Sequence, residues 1–136
     1  MPKMIFVNLP VTDLARSISF YEALGFKRNP TFSSEFASTI VWDETIMFEL
    51  LTPDFYKKFI GEKNIIDGKT TSGALISLSM DSADEVRAFA NAAQANGGHY
   101  FHVDTGMPEE QMFGLEVVDP DGNQLEPTWM DVDMVN

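Results

Sequence analysis

Two glutamates stand at matching places in what reads as a repeated unit: Glu49 in Met47-Phe48-Glu49-Leu50 and Glu126 in Gln124-Leu125-Glu126-Pro127. Each falls in the last strand of its half, just after a turn. An isolated carboxylate is costly to bury unless it is paired or protonated. If the two converge on one pocket, mutual repulsion and lost hydration raise at least one pKa. Such a pair could act as a general acid or base, or as a socket for a cationic group. With waters, two carboxylates can also hold Mg²⁺ or Mn²⁺. The plainer alternative is a solvated strand edge, easiest to imagine for Glu126, which shares a face with Gln124 and Thr128. The two histidines, His99 and His102, lie together in another strand and read as surface or cavity-rim residues. Replacement metal ligation by His102 beside the two acids is the other possibility, giving an open site of low coordination.

The elements that must position these groups come in two similar series. Ile5-Phe6-Val7-Asn8-Leu9 has strand character, with Ile5, Val7 and Leu9 on one face and Phe6 and Asn8 on the other. Thr12 or Asp13 caps a helix whose apolar stripe is Leu14, Ile18, Tyr21 and Leu24, and Gly25 ends it. Strands follow around residues 26–28, 36–42 and 45–51, the last two joined at Asp43-Glu44. The second series opens with Leu75 to Met80, where Ile76, Leu78 and Met80 share a face and Leu75 and Ser77 lie opposite. Ser82 and Glu85 form a capping box. Val86, Phe89, Ala90 and Ala93 make the helical stripe, ended by Gly97-Gly98. Strands around 99–103, 112–118 and 123–129 complete it, the last two joined by the turn Asp119-Pro120-Asp121-Gly122.

Phe6 maps onto Leu75 at an offset of 69 and Glu49 onto Glu126 at 77, so the second copy has the longer middle. The modules span about 4–51 and 74–130, with a linker of 52–73 in which residues 53–60 form a short helix. The apolar faces pack on the helices. The faces bearing Phe6, Asn8, Leu75 and Ser77 have the mixed character of a ligand cleft. Phe113, Trp42 and Trp129 are core residues or cavity aromatics, and residues 107–111 form a surface loop or a lip.

Composition narrows the function classes. The chain has 136 residues, 44% hydrophobic, with no low-complexity segment, enough for one domain or two small modules. Zero cysteines exclude disulfides, thiolate catalysis and cysteine zinc sites. Lys plus Arg number 9 against 21 Asp plus Glu, and a net charge of −12 disfavours nucleic acid and anionic membranes as partners. The first residues lack the apolar core of a signal peptide, and no apolar run reaches the roughly 20 residues of a membrane span. The expectation is a soluble, cytoplasmic protein.

The stretch Val7-Asn8-Leu9-Pro10-Val11-Thr12-Asp13-Leu14-Ala15-Arg16-Ser17, then Phe20-Tyr21 and Leu24-Gly25-Phe26, resembles the opening of the vicinal oxygen chelate superfamily. This group takes in glyoxalase I, the bleomycin-resistance proteins and the extradiol dioxygenases. Asp119-Pro120-Asp121-Gly122-Asn123-Gln124-Leu125-Glu126 resembles its last hairpin. The resemblance implies an α+β fold of two βαβββ modules forming a cupped mixed sheet around a cavity, and a homodimer. Its metal-dependent members draw His, Glu, His and Glu from the first and last strands of the modules. Here those places hold Phe6, Glu49, Leu75 and Glu126, so both acids are kept and both imidazoles are absent.

The expectation is therefore a small organic ligand bound in a cavity between the modules, with no cofactor favoured and a divalent metal as the other possibility. Phe6 and Leu75 would supply apolar walls, Asn8, Ser77, Gln124 and Thr128 polar contacts, and Glu49 and Glu126 negative charge or catalysis. The alternative is a divalent-metal enzyme of lyase, isomerase or extradiol dioxygenase type using Glu49 and Glu126, with His102 as a candidate replacement ligand.

Overall fold

A computed structural model of the chain describes residues 2–134. It divides into two compact units between Asp67 and Gly68, within the expected linker. The architecture is α+β, and each unit is a βαβββ module with its own mixed sheet.

In the first module β1 (Ile5–Pro10) leads through α1 (Leu14–Ala23) to β2 (Lys27–Ser33), β3 (Ala37–Asp43) and β4 (Ile46–Leu51), followed by α2 (Pro53–Lys57). The sheet order is β1-β4-β3-β2, with β1 parallel to β4 and the other pairs antiparallel. Asp13 is the helix cap, its carboxylate accepting from the Arg16 N–H at 3.0 Å. Gly25 follows the helix at φ +105°, a conformation that favours glycine. The buried stripe of α1 is Ser17, Phe20, Tyr21 and Leu24, rather than Leu14, Ile18, Tyr21 and Leu24. Phe20 and Tyr21 win because their rings interlock: Tyr21 meets Phe20, Phe26 and Phe48 edge-on at 5.1–5.9 Å. Burying a side chain such as Phe48 contributes roughly 1.5–3 kcal/mol. Ile5, expected on the helix side, is 55% exposed because it begins an edge strand.

Two connections depart from expectation. The strand after α1 runs on to Ser33, with Pro30 tolerated because β2 is an edge strand. Its irregular register between Asn29 and Ser33 is closed locally, Asn29 Oδ1 accepting from Thr31 N–H and Ser33 Oγ donating to the Asn29 carbonyl. The β3–β4 turn lies at residues 44–45, one step later than expected.

In the second module β5 (Leu75–Ser79) leads through α3 (Ala83–Ala95) to β6 (His99–Phe101), β7 (Met112–Gly114), β8 (Glu116–Val118) and β9 (Gln124–Met130). Strand β5 is parallel to β9, which also pairs with β7 and β8, and β8 pairs with β6. Ser82 caps α3 as expected, accepting from Glu85 N–H at 3.1 Å. The Glu85 carboxylate reaches one residue further back, to Asp81 N–H at 2.7 Å. Val86, Phe89, Ala90 and Ala93 are all buried.

The strand expected at 112–118 is interrupted at Leu115. Gly114 faces Thr128 and Val117 faces Leu125 in one continuous register, which sets Leu115 opposite Pro127. Leu115 N–H donates to the Pro127 carbonyl at 3.2 Å, but proline has no N–H to return. The ladder loses one bond and the strand reads as two.

The 119–122 turn is held by Asp119, 3% exposed, whose carboxylate accepts from Asp121 N–H, Asn123 N–H and Asn123 Nδ2, each at 2.9 Å. Gly122 has φ +90°, and a Cβ on it would fall 2.3 Å from the Gly68 carbonyl. Gly122→Ala should therefore cost about 2–4 kcal/mol from strain and overpacking, read as a lower urea midpoint. An unchanged midpoint would refute this close approach.

Candidate functional site

Parallel pairing of the first and last strands places one polar residue of the first strand beside each glutamate. Asn8 pairs with Glu49 in β1–β4, and Ser77 pairs with Glu126 in β5–β9. The positions that the resemblance assigns to histidine pair one step earlier, Phe6 with Met47 and Leu75 with Gln124. Phe6 and Leu75 are 49% and 56% exposed, on the sheet faces that carry the acids.

On the other side of each glutamate the modules differ. Thr39 of β3 pairs with Glu49, and its Oγ1 lies 2.8 Å from both carboxylate oxygens. Asn8 does not reach Glu49; its amide donates to the Phe6 carbonyl at 3.4 Å. In the second module the β8–β9 register sets Glu116 opposite Glu126. The offset that carries Glu49 onto Glu126 carries Thr39 onto Glu116, so the second copy holds an acid where the first holds a hydroxyl. Nothing in the residue order marks Glu116, because its place opposite Glu126 is set by strand register.

Glu116 and Glu126 share a hydrogen bond and divide their titration. Lost hydration, then the hydrogen bond and charge of Glu126, push Glu116 from its ordinary 4.5 to about 7, with Gln124 pulling the other way. Glu126 is held below the ordinary carboxylate range by hydrogen bonds to Glu116 and Ser77, against its own partial burial. Ser77 Oγ donates to Glu126 Oε1 at 2.8 Å. Below about pH 7 the proton therefore resides on Glu116 and the charge on Glu126, an arrangement that presents an acid and a base side by side.

These groups border an open cleft of about 820 Å³ in the second module. Its polar wall includes Ser77, Glu116, Glu126 and Thr128, and its apolar wall includes Met107, Met112 and Met130. Residues 102–109 supply much of the rim, so the segment read as a loop or lip does border a cavity. His102 is exposed on this rim and stacks on Phe113 at 6.1 Å. Arg87 lies 4.5 Å from the same ring and pairs with Glu109 at 3.2 Å. Gln124 touches Glu116 without bordering this cleft, and Leu75 lies outside it. Trp42 packs on Phe26 in the first module's core at 4.9 Å. Trp129 is half-buried on the face of β9 opposite Glu126 and Thr128.

The donor set does not fit the metal-dependent pattern. Both imidazole positions are apolar, and the partner of Glu126 is a second carboxyl sharing a proton with it. Among the described residues no group of three His, Asp or Glu side chains could hold a metal ion. No helix is long and apolar enough to cross a membrane.

Two βαβββ modules, each with a parallel first–last strand pair, define a vicinal oxygen chelate fold. The family model for the glyoxalase/bleomycin resistance protein/dioxygenase superfamily matches residues 3–126, and the chain belongs to that superfamily. Among solved structures it is similar to a hypothetical protein of S. aureus, at 23% identity over 95% of this chain and 94% of that one, with TM-score 0.75. A family enzyme from Burkholderia phytofirmans is 14% identical over 96% and 100%, with TM-score 0.76. The bleomycin resistance determinant encoded on transposon Tn5 is 18% identical over 96% and 99%, with TM-score 0.58. At these identities the likeness shows the fold. A search of the curated proteins found no match.

The shared proton has a measurable consequence. Between pH 4.5 and about 7 folded Glu116 keeps a proton that the unfolded chain has lost, so its contribution to stability falls as pH rises through that window. Glu126, shifted the other way, contributes above its ordinary range and loses that only in stronger acid. Glu116→Gln should raise Tm by about 2–4 °C at pH 8 and leave it within about 1 °C at pH 5. An equal change at both pH values, by calorimetry, would exclude the shared proton.

Proposed function

We propose that this protein binds a small organic molecule in the second module's cleft, with Ser77, Glu126 and Thr128 fixing its polar end. The observation that carries the reading is the cleft itself. At about 820 Å³ it falls in the range of small-molecule sites, roughly 300–1,000 Å³. It also combines apolar walls with a few convergent polar groups, as such sites do. Membership of the superfamily supports it, and the similar Tn5 protein is a bleomycin resistance determinant. Function as a homodimer in the cytoplasm is part of the same proposal.

Binding without conversion is the form we favour, because the donor set does not fit the metal-dependent pattern on which the lyase, isomerase and dioxygenase alternatives were built. A fragment screen by ¹H–¹⁵N NMR tests the proposal. Small mixed polar–apolar molecules should move the amides of Ser77, Gly114 and Thr128 and be recovered unchanged. Glu126→Gln should weaken them about tenfold, as expected for loss of a charged hydrogen-bond partner. Hits that leave these amides still would remove the proposed site. Chemical turnover would replace sequestration with catalysis.

A further inference from the structure

The chemical class of the ligand is written in the charges that border the cleft. Asp104, Glu109, Glu116 and Glu126 border it, and among the described residues it has no lysine or arginine. Glu109 is paired with Arg87 at 3.2 Å, which offsets its charge at the rim. In the polar wall, the Ser77 hydroxyl is directed at Glu126 Oε1 and the Thr128 hydroxyl donates to the Glu126 backbone carbonyl at 3.0 Å. The nearby donors are thus already turned toward Glu126. An anionic ligand would meet two carboxyls and no cation.

The sheet itself does not require the second acid. At the equivalent place in the first module Thr39 satisfies Glu49 with a hydroxyl, 2.8 Å from both oxygens. Glu116 instead adds a second carboxyl directly across a strand pair from Glu126, and neutral hydrogen bonding alone would not need it. Two facing carboxyls suit a planar cation with N–H groups on more than one edge. The nearby methionines 107, 112 and 130 offer polarisable, adaptable contact to an apolar body.

Building on the reading of the cleft as a ligand site, we propose that Glu116 and Glu126 form a seat for a monocation of amidinium or guanidinium type on an apolar body. Glu116 is the residue that sets the preference for charge. Below about pH 7 the proton on Glu116 keeps the two carboxyls of the unliganded cleft from repelling one another; at pH 8 that proton is lost and a bound cation takes over its role.

The test compares benzamidinium with its neutral analogue benzamide by NMR titration at pH 8 and 150 mM salt, which screens general attraction to the acidic surface. Benzamidinium should move the amides of Ser77, Gly114 and Thr128 and bind at least tenfold more tightly than benzamide. Glu116→Gln, and Glu116→Thr, which copies the first module, should each reduce that preference to within about twofold. Each variant should keep the dispersed amide spectrum of the folded chain, so loss of preference is separated from loss of fold. Equal affinity for the two probes, shifts spread over acids outside the cleft, or a preference undiminished in both variants would overturn the proposal. If other fragments move the cleft amides and benzamidinium does not, the cation seat fails while the cleft stands. If no small molecule moves them, both fail.

Discussion

Each module depends on the parallel pairing of its first and last strands. Parallel neighbours cannot be joined by a tight turn; the chain must leave the sheet and return. Here the return takes in the helix and the intervening strands. The helix covers one sheet face, where Phe20, Tyr21 and Phe48 in one copy and Val86, Phe89 and Ala90 in the other are buried. The first–last pairing also fixes the chemistry of the opposite face, because it sets Asn8 beside Glu49 and Ser77 beside Glu126 without any loop having to place them. Fold and candidate site thus follow from one constraint.

The copies use that constraint differently. In the first, a carboxylate is satisfied by a threonine and remains a structural acceptor. In the second, the same register brings two carboxyls together in the wall of a cleft. Placing like groups side by side is unfavourable unless a proton or a counter-charge intervenes. That unfavourable juxtaposition, in a module whose twin avoids it, points to function more strongly than either glutamate alone.

Much of this was legible from residue order. The period-two and helical stripes located both sheets and both long helices, and Val86, Phe89, Ala90 and Ala93 are buried as read. The glutamates were found because both repeats place them after a turn. Glu116 escaped notice because a strand's partner is a fact of register, and register across a sheet is not printed in the order of residues. The stripe of α1 was misassigned for a related reason: Ser17 is polar, yet it is buried beside Phe20 and Tyr21. The interruption at Leu115 needed the knowledge that Pro127 lies opposite. The absence of imidazole at Phe6 and Leu75 is a matter of composition and is plain in the sequence itself.

Pro127 adjoins Glu126 in β9, while Leu115, its opposite number, adjoins Glu116. The bond missing between them therefore lies next to both acids. A full ladder would clamp the spacing of the two carboxyls as rigidly as the strands themselves. Only the Leu115 N–H to Pro127 carbonyl bond joins the strands there, so the rung beside the acids is half-made. The spacing of the two carboxyls is thus held, on that side, by one hydrogen bond where an ordinary rung would supply two.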